Sequence, residues 1–276
     1  MSPRRRETAR HRPRSRFTFA LTVLCVGLLG WPTPASALRR LFEPTDLELE
    51  EAGVAEVDLQ FGVIRGAGSW RLSVPDFEVD LGLWRDLELD LDGALSWEGP
   101  DGGAFRLDHL DDDNLWVALK TSLLSFDFVS PPGAPAGERG VALGVQVGPK
   151  CPTARSARGF GVEGLLLGAW HTRRVQLVLN GGMLWDPSDG TSPRPLGVEG
   201  GLDANLNLDD AGHLALVGEA GGVRFLSHDP RQLTFTAGLA WDPRDDLELS
   251  VVGLAGVFEG SDRFGLLVGI SPKLRR

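Results

Sequence analysis

Carboxylates recur on every second residue in several stretches of this chain. Asp58 with Gln60, Glu78 with Asp80, and Glu88 with Asp90 and Asp92 form such rows. Glu199, Asp203, Asn205 and Asn207 form another, and Thr234 and Thr236 extend the polar set. Rows of this kind support two chemistries. Paired carboxylates exchange protons as general acid and base. Carboxylates lining a wet passage favour cations over anions. Few bases accompany them: Arg65, Lys120 and Arg263.

Other chemistries lack their motifs. Gly159-Phe160-Gly161-Val162-Glu163-Gly164 matches G-x-G-x-x-G. A dinucleotide site needs a strand before it and a helix after it, whereas here a basic loop precedes and a strand follows. His109, His171, His213 and His228 stand apart at no zinc-ligand spacing. No G-x-S-x-G hydrolase elbow occurs. The chain therefore reads as a non-enzyme without cofactor or metal. Asp108-His109-Leu110-Asp111-Asp112-Asp113-Asn114 is dense enough in carboxylates for Ca²⁺. It lacks the EF-hand order, and a solvated loop is the favoured reading. Lys150, Arg155 and Arg158 make 150–158 a basic connection, suited to lipopolysaccharide phosphates or to plain solvent.

The rows need strands to position them. Apolar and polar residues alternate along 57–63, 77–83, 87–92, 200–208, 234–239 and 263–270. Period two is a strand signal, and helical spacing is absent. Twelve strands are predicted near 54–65, 72–82, 86–97, 114–127, 139–149, 159–170, 173–185, 195–208, 213–225, 232–242, 246–258 and 262–272. Most are longer than ordinary strands of about 5–6 residues. They match the roughly 9–11 residues of a tilted membrane strand. The count is even, as bacterial outer-membrane barrels require. Connections alternate long and short, except at Phe128–Glu138 with its Pro131-Pro132-Gly133. Trp84, Trp97, Trp116, Trp170, Trp185 and Trp241 fall near strand ends, where interface girdles of aromatic rings sit.

The beginning of the chain carries an address. Seven arginines precede the apolar run Phe17–Trp31, and Ala35-Ser36-Ala37 follows. A basic start, a short apolar run and a small-x-small end make a secretory signal, cleaved after Ala37. The chain then divides into a signal peptide (1–37), a periplasmic or plug segment (38–53) and an outer-membrane barrel (54–276). Cys151 is the single cysteine after the signal, so no internal disulfide forms. The formal charge is −10, and removing the arginine-rich leader makes the remainder more acidic still. Such a chain repels nucleic acid.

A barrel in lipid turns Val57, Leu59, Phe61, Val79, Leu89, Leu202, Leu239 and Leu266 outward. The lumen then receives Asp58, Gln60, Glu78, Asp80, Glu88, Asp90, Asp92, Lys120, Glu199, Asp203, Asn205 and Arg263. Charge on the lipid face costs about 2–4 kcal/mol at mid-depth. A soluble barrel or sandwich would invert both faces. The signal, the strand lengths, the tryptophans and the connection lengths favour the membrane version. Inward glycines such as Gly62, Gly82 and Gly201 leave room for water, solute or a plug.

Several stretches carry a family resemblance. Phe42-Glu43-Pro44-Thr45-Asp46-Leu47-Glu48-Leu49, Pro75–Gly82, Asp113-Asn114-Leu115-Trp116 with Lys120, Leu196–Gly201 and Ser261–Lys273 resemble the outer-membrane β-barrel family known as "MetA-pathway of phenol degradation". The likeness covers most of the chain after the signal, through loose motifs. It implies a transmembrane antiparallel up-and-down barrel and a passive channel for small solutes, hydrophobic or aromatic ones included. Its partners would be outer-membrane lipid, lipopolysaccharide and the barrel insertion machinery of a Gram-negative bacterium. The ending Ser271-Pro272-Lys273-Leu274-Arg275-Arg276 departs from the terminal aromatic that this machinery reads, and marks a short tail after the last strand. A closed structural barrel and a soluble periplasmic binding protein are the alternatives.

Overall fold

The computed structural model describes residues 49–66, 68–100, 110–112, 114–127, 139–153, 159–185, 196–209, 213–226, 231–244 and 246–275. The expected signal peptide and residues 38–48 lie outside them. So do 128–138, Asp108, His109, Asp113, Arg155, Arg158 and His228.

The described chain is all-β. Its strands are β1 (Val54–Arg65), β2 (Ser69–Trp84), β3 (Leu87–Pro100), β4 (Leu110–Asp112), β5 (Leu115–Asp127), β6 (Arg139–Cys151) and β7 (Gly161–Thr172). They continue with β8 (Val175–Trp185), β9 (Leu196–Asn207), β10 (Leu214–Phe225), β11 (Gln232–Arg244), β12 (Leu247–Gly256) and β13 (Phe264–Arg275). Successive long strands pair antiparallel, and β1 closes the circuit on β13 with Val54 opposite Arg275. Closure leaves no open sheet edge among the long strands, which satisfies backbone groups without water. The end bearing Val54 and Arg275 is called proximal here, the other distal.

The twelve predicted strands are the twelve long ones. The short β4 is an addition: Leu110–Asp112 pairs with Leu95–Trp97, in what reads from sequence as the acidic loop. A long β3 extends beyond β5 on the distal side and gives β4 a ladder to join. At the C-terminus there is no tail before Arg275; β13 runs through Lys273, paired with Glu56. Register slips occur between Ser73 and Asp76, where Pro75 has no N–H for the ladder.

Burial alternates with the pleat. On β7, Leu165 and Leu167 are each 2% exposed while Leu166 between them is 68% exposed. Phe61, Leu143, Leu179, Leu202, Phe235, Val251 and Leu266 likewise lie on the outside. Glu88, Asp90 and Glu163 are fully buried inside. An apolar belt this extensive is unsuited to water and suits hydrocarbon. The interior also has dry patches. Ile64, Val252, Leu254 and Leu267 cluster on β1, β12 and β13. Trp116, Ala118, Leu165 and Leu167 cluster on β5 and β7.

Candidate functional site

The strand register assembles the carboxylates into rungs. Glu56, Asp80 and Asp90 lie side by side across β1, β2 and β3. Asp58, Glu78 and Asp92 form the next rung. A third rung runs Gly82, Glu88, Lys120, Gln146 and Leu165 from β2 to β7. Like charges directly opposed across a sheet destabilise it, so this wall is not built for fold stability. It gathers carboxyl groups on one side of the barrel interior.

Few bases answer it. Lys120 Nζ lies 2.6 Å from Glu88 Oε1. Gln146 Nε2 donates to Asp90 Oδ2. Lys273 Nζ sits 2.8 Å from Glu50 and 3.0 Å from Glu56. On the other side Lys150 meets Glu163 at 2.8 Å. Glu199 and Asp203 are buried there, Asp203 opposite Glu219 on β10, and Thr236 donates to Glu219 at 3.4 Å. Gln60 and Asn205 are half-buried on β1 and β9. Arg71 holds Asp262 at 2.8 Å toward the distal end. Burial pushes the Asp262 carboxyl up, and Arg71 only partly offsets this.

The segment before β1 touches the same wall. Glu50 N–H donates to Glu88 Oε2 at 2.5 Å, and Gly53 N–H donates to Gly82 O at 2.9 Å. A Cβ on Gly82 would overlap the carbonyl oxygens of Glu50 and Glu51. The room left by that glycine is thus filled by the chain's own backbone. Burial disfavours the Glu50 charge, but hydrogen bonds with Lys273 and Glu56 overcome this and hold its carboxyl below its ordinary value.

Three expected placements differ. Trp116 is inside, 2% exposed, and donates Nε1–H to Gly148 O at 3.3 Å. It shares strand parity with Lys120, and a lumen lysine carries its i−4 neighbour inward. Arg263 is exposed in the connection ahead of β13, its N–H bonded to Arg65 O. Lys150, expected in the basic connection, ends β6 and turns inward to Glu163. Of the remaining tryptophans, Trp84, Trp170 and Trp241 are exposed toward the proximal end and Trp185 toward the distal end. Trp97 is half-buried, its indole nitrogen without a hydrogen-bond partner among the described residues. Gly161–Gly164 of the glycine motif begin β7, so a strand and not a helix follows. Arg71, Glu56, Glu163 and Lys273 were missed as interior groups. Parity with Asp58 and Gly269 carried the signal for Glu56 and Lys273; Arg71 and Glu163 had no such neighbour.

A closed twelve-stranded antiparallel barrel, apolar outside and acidic inside, defines the class: this is the outer-membrane β-barrel fold. Among solved structures the chain is similar to an outer membrane channel from Pseudomonas putida F1, at 13% identity and a TM-score of 0.56. That match covers 84% of this chain and 100% of the other. The NanC porin is similar at 11% identity and a TM-score of 0.53, over 79% of this chain and 100% of that one. At these identities the likeness is one of fold. No protein-family model matches the sequence, and no curated protein does.

Proposed function

We propose that the protein is an outer-membrane channel for passive passage of small solutes, with a lumen that favours cations and neutral molecules over anions. The carrying observation is the pair of all-carboxylate rungs, Glu56–Asp80–Asp90 and Asp58–Glu78–Asp92, inside a closed barrel. Fixed negative charge in a low-dielectric tube concentrates cations and repels anions. Selection is by width and charge, with no bond made or broken. The apolar outer belt supports placement in the outer membrane of a Gram-negative bacterium, reached through the leader at 1–37. The structures of a channel and a porin with this fold support the channel reading. The sequence resemblance to the phenol-degradation barrel family adds hydrophobic and aromatic solutes to the candidates. Lipopolysaccharide belongs outside, against the belt.

Reversal potentials in a potassium chloride gradient across a planar bilayer test this. The wild type is expected to pass potassium several times better than chloride. Asp58→Asn with Glu78→Gln and Asp92→Asn should lower that ratio at least twofold. An unchanged reversal potential would sink the reading.

A narrower barrel has its own observation. Leu49–Gly53 lies against Gly82 and Glu88 at the proximal end, and dry clusters occupy parts of the interior. On this reading the segment partly closes the passage. Deleting 38–50 should then raise single-channel conductance, while an open pore would conduct equally with or without the segment.

A further inference from the structure

We propose that Asp58, Glu78 and Asp80 bind a divalent cation of the calcium class on the inner wall, with Asp90 and Gln146 fixing the geometry behind Asp80. Each of the three carboxylates presents an oxygen within 4.8 Å of the other two. Oxygens around Ca²⁺ lie about 2.3–2.6 Å from the ion, so pairs of them up to roughly 5 Å apart fit one ion. Asp58 directly opposes Glu78, and both are half-buried, open to exchange with the lumen.

The second observation lies behind this trio. Asp80 is 9% exposed, and its Oδ1 has no hydrogen-bond partner. Asp90 is fully buried, and its Oδ1 also lacks one. Gln146, 1% exposed, is aimed at Asp90 through Nε2, and its own Oε1 has no partner. Three buried oxygens without a hydrogen-bond donor among the described residues demand compensation. Lys120 is engaged with Glu88, and Lys273 with Glu50 and Glu56. A dication gives these oxygens a partner and lets Asp58 and Glu78 face one another. The donor set is all oxygen, which selects hard cations over zinc or copper. Carboxylates on two strands with lumen water suit the flexible shell of Ca²⁺ better than the strict octahedron of Mg²⁺.

The site goes beyond the channel reading and does not depend on it, since a closed barrel would keep the same wall. The test is calorimetric titration of the folded, detergent-extracted full barrel, stripped with a chelator, using calcium chloride and magnesium chloride in parallel. One calcium per chain is expected, bound at least tenfold more tightly than magnesium, with a rise in unfolding temperature. Asp58→Asn with Asp80→Asn should abolish the calcium heat and the rise while the barrel stays folded. Calcium held by carried-over lipopolysaccharide would persist in that variant, and this result overturns the proposal. A proton shared by Asp80 and Asp90 in place of the ion would leave the wild type without calcium heat at neutral pH, which also overturns it. Should the variant not fold, terbium decides on the wild type. Trp116 lies opposite Asp92 on the adjoining strand. Terbium emission excited through indole should appear, be displaced by calcium, and fall severalfold in Trp116→Phe. Emission that calcium does not displace overturns the site.

Discussion

Single residues divide here into those that hold the barrel and those that charge it. Lys150 and Glu163 belong to the first kind, with Glu163 fully buried and Lys150 nearly so at a distance of 2.8 Å. Removing one member of a buried ion pair strands the other charge and costs about 3–5 kcal/mol. Lys150→Ala should therefore lower stability in urea unfolding of the refolded barrel by an amount of that order. A loss below about 1 kcal/mol would place the pair in water. Trp116 is also structural, and its indole fills a patch with Leu165 and Leu167. Its inward position was legible: it is four residues before Lys120, and period two puts both on one face. Strand-end position alone suggested a girdle, and that signal is weaker than parity. Arg71 and Lys273 were less legible, because each lies where an irregular register or an apparent tail obscures the alternation. The pairing partners, Asp262 and Glu50, are 191 and 223 residues away in sequence. No local pattern reports contacts at that separation.

At the scale of elements, strand existence follows directly from alternation, and lengths of 10–16 residues follow from the span they cover. β4 was invisible because three residues carry no period, and only the ladder offered by β3 defines it. Glycine placement was legible as spare room on the inner face. What fills that room was not, since the backbone of residues 50 and 51 reaches Gly82 only after β1 and β2 have paired. This contact makes a prediction about the segment before β1. Glu50 ionises more readily in the folded protein than its reference value of 4.5. A depressed carboxyl stabilises fully above that value and loses its contribution as the pH falls through the folded one. Acidification should therefore release Leu49–Gly53 from the wall. Hydrogen exchange at Glu50 and Gly53 measures this: their protection factors, taken relative to the intrinsic exchange rate at each pH, should be high at pH 7 and fall as the pH drops below 4.5. Lys273→Ala should give the low protection already at pH 7, through loss of the Glu50 partner. Equal protection in all three cases would contradict the latch.

For the whole molecule, the alternation left two solutions, with the apolar face out or in. Composition could not choose between them, because both bury one face and expose the other. The register does choose: Glu88, Asp90 and Glu163 are fully buried while Leu166 is 68% exposed. A soluble barrel with that surface would aggregate, whereas lipid accepts the belt and the closed interior keeps the acids away from it. The carboxylate wall on β1–β3 follows from the register of the two hairpins that pair β1 with β2 and β2 with β3. The central claim is a closed barrel seated in lipid. Its most direct test is electrophoresis of the membrane fraction in mild SDS, with and without boiling. A membrane-bound band that shifts on boiling is the result expected of a barrel that stays closed in detergent. A protein found in the soluble fraction, with no shift, would contradict the account and send the carboxylates from lumen to surface.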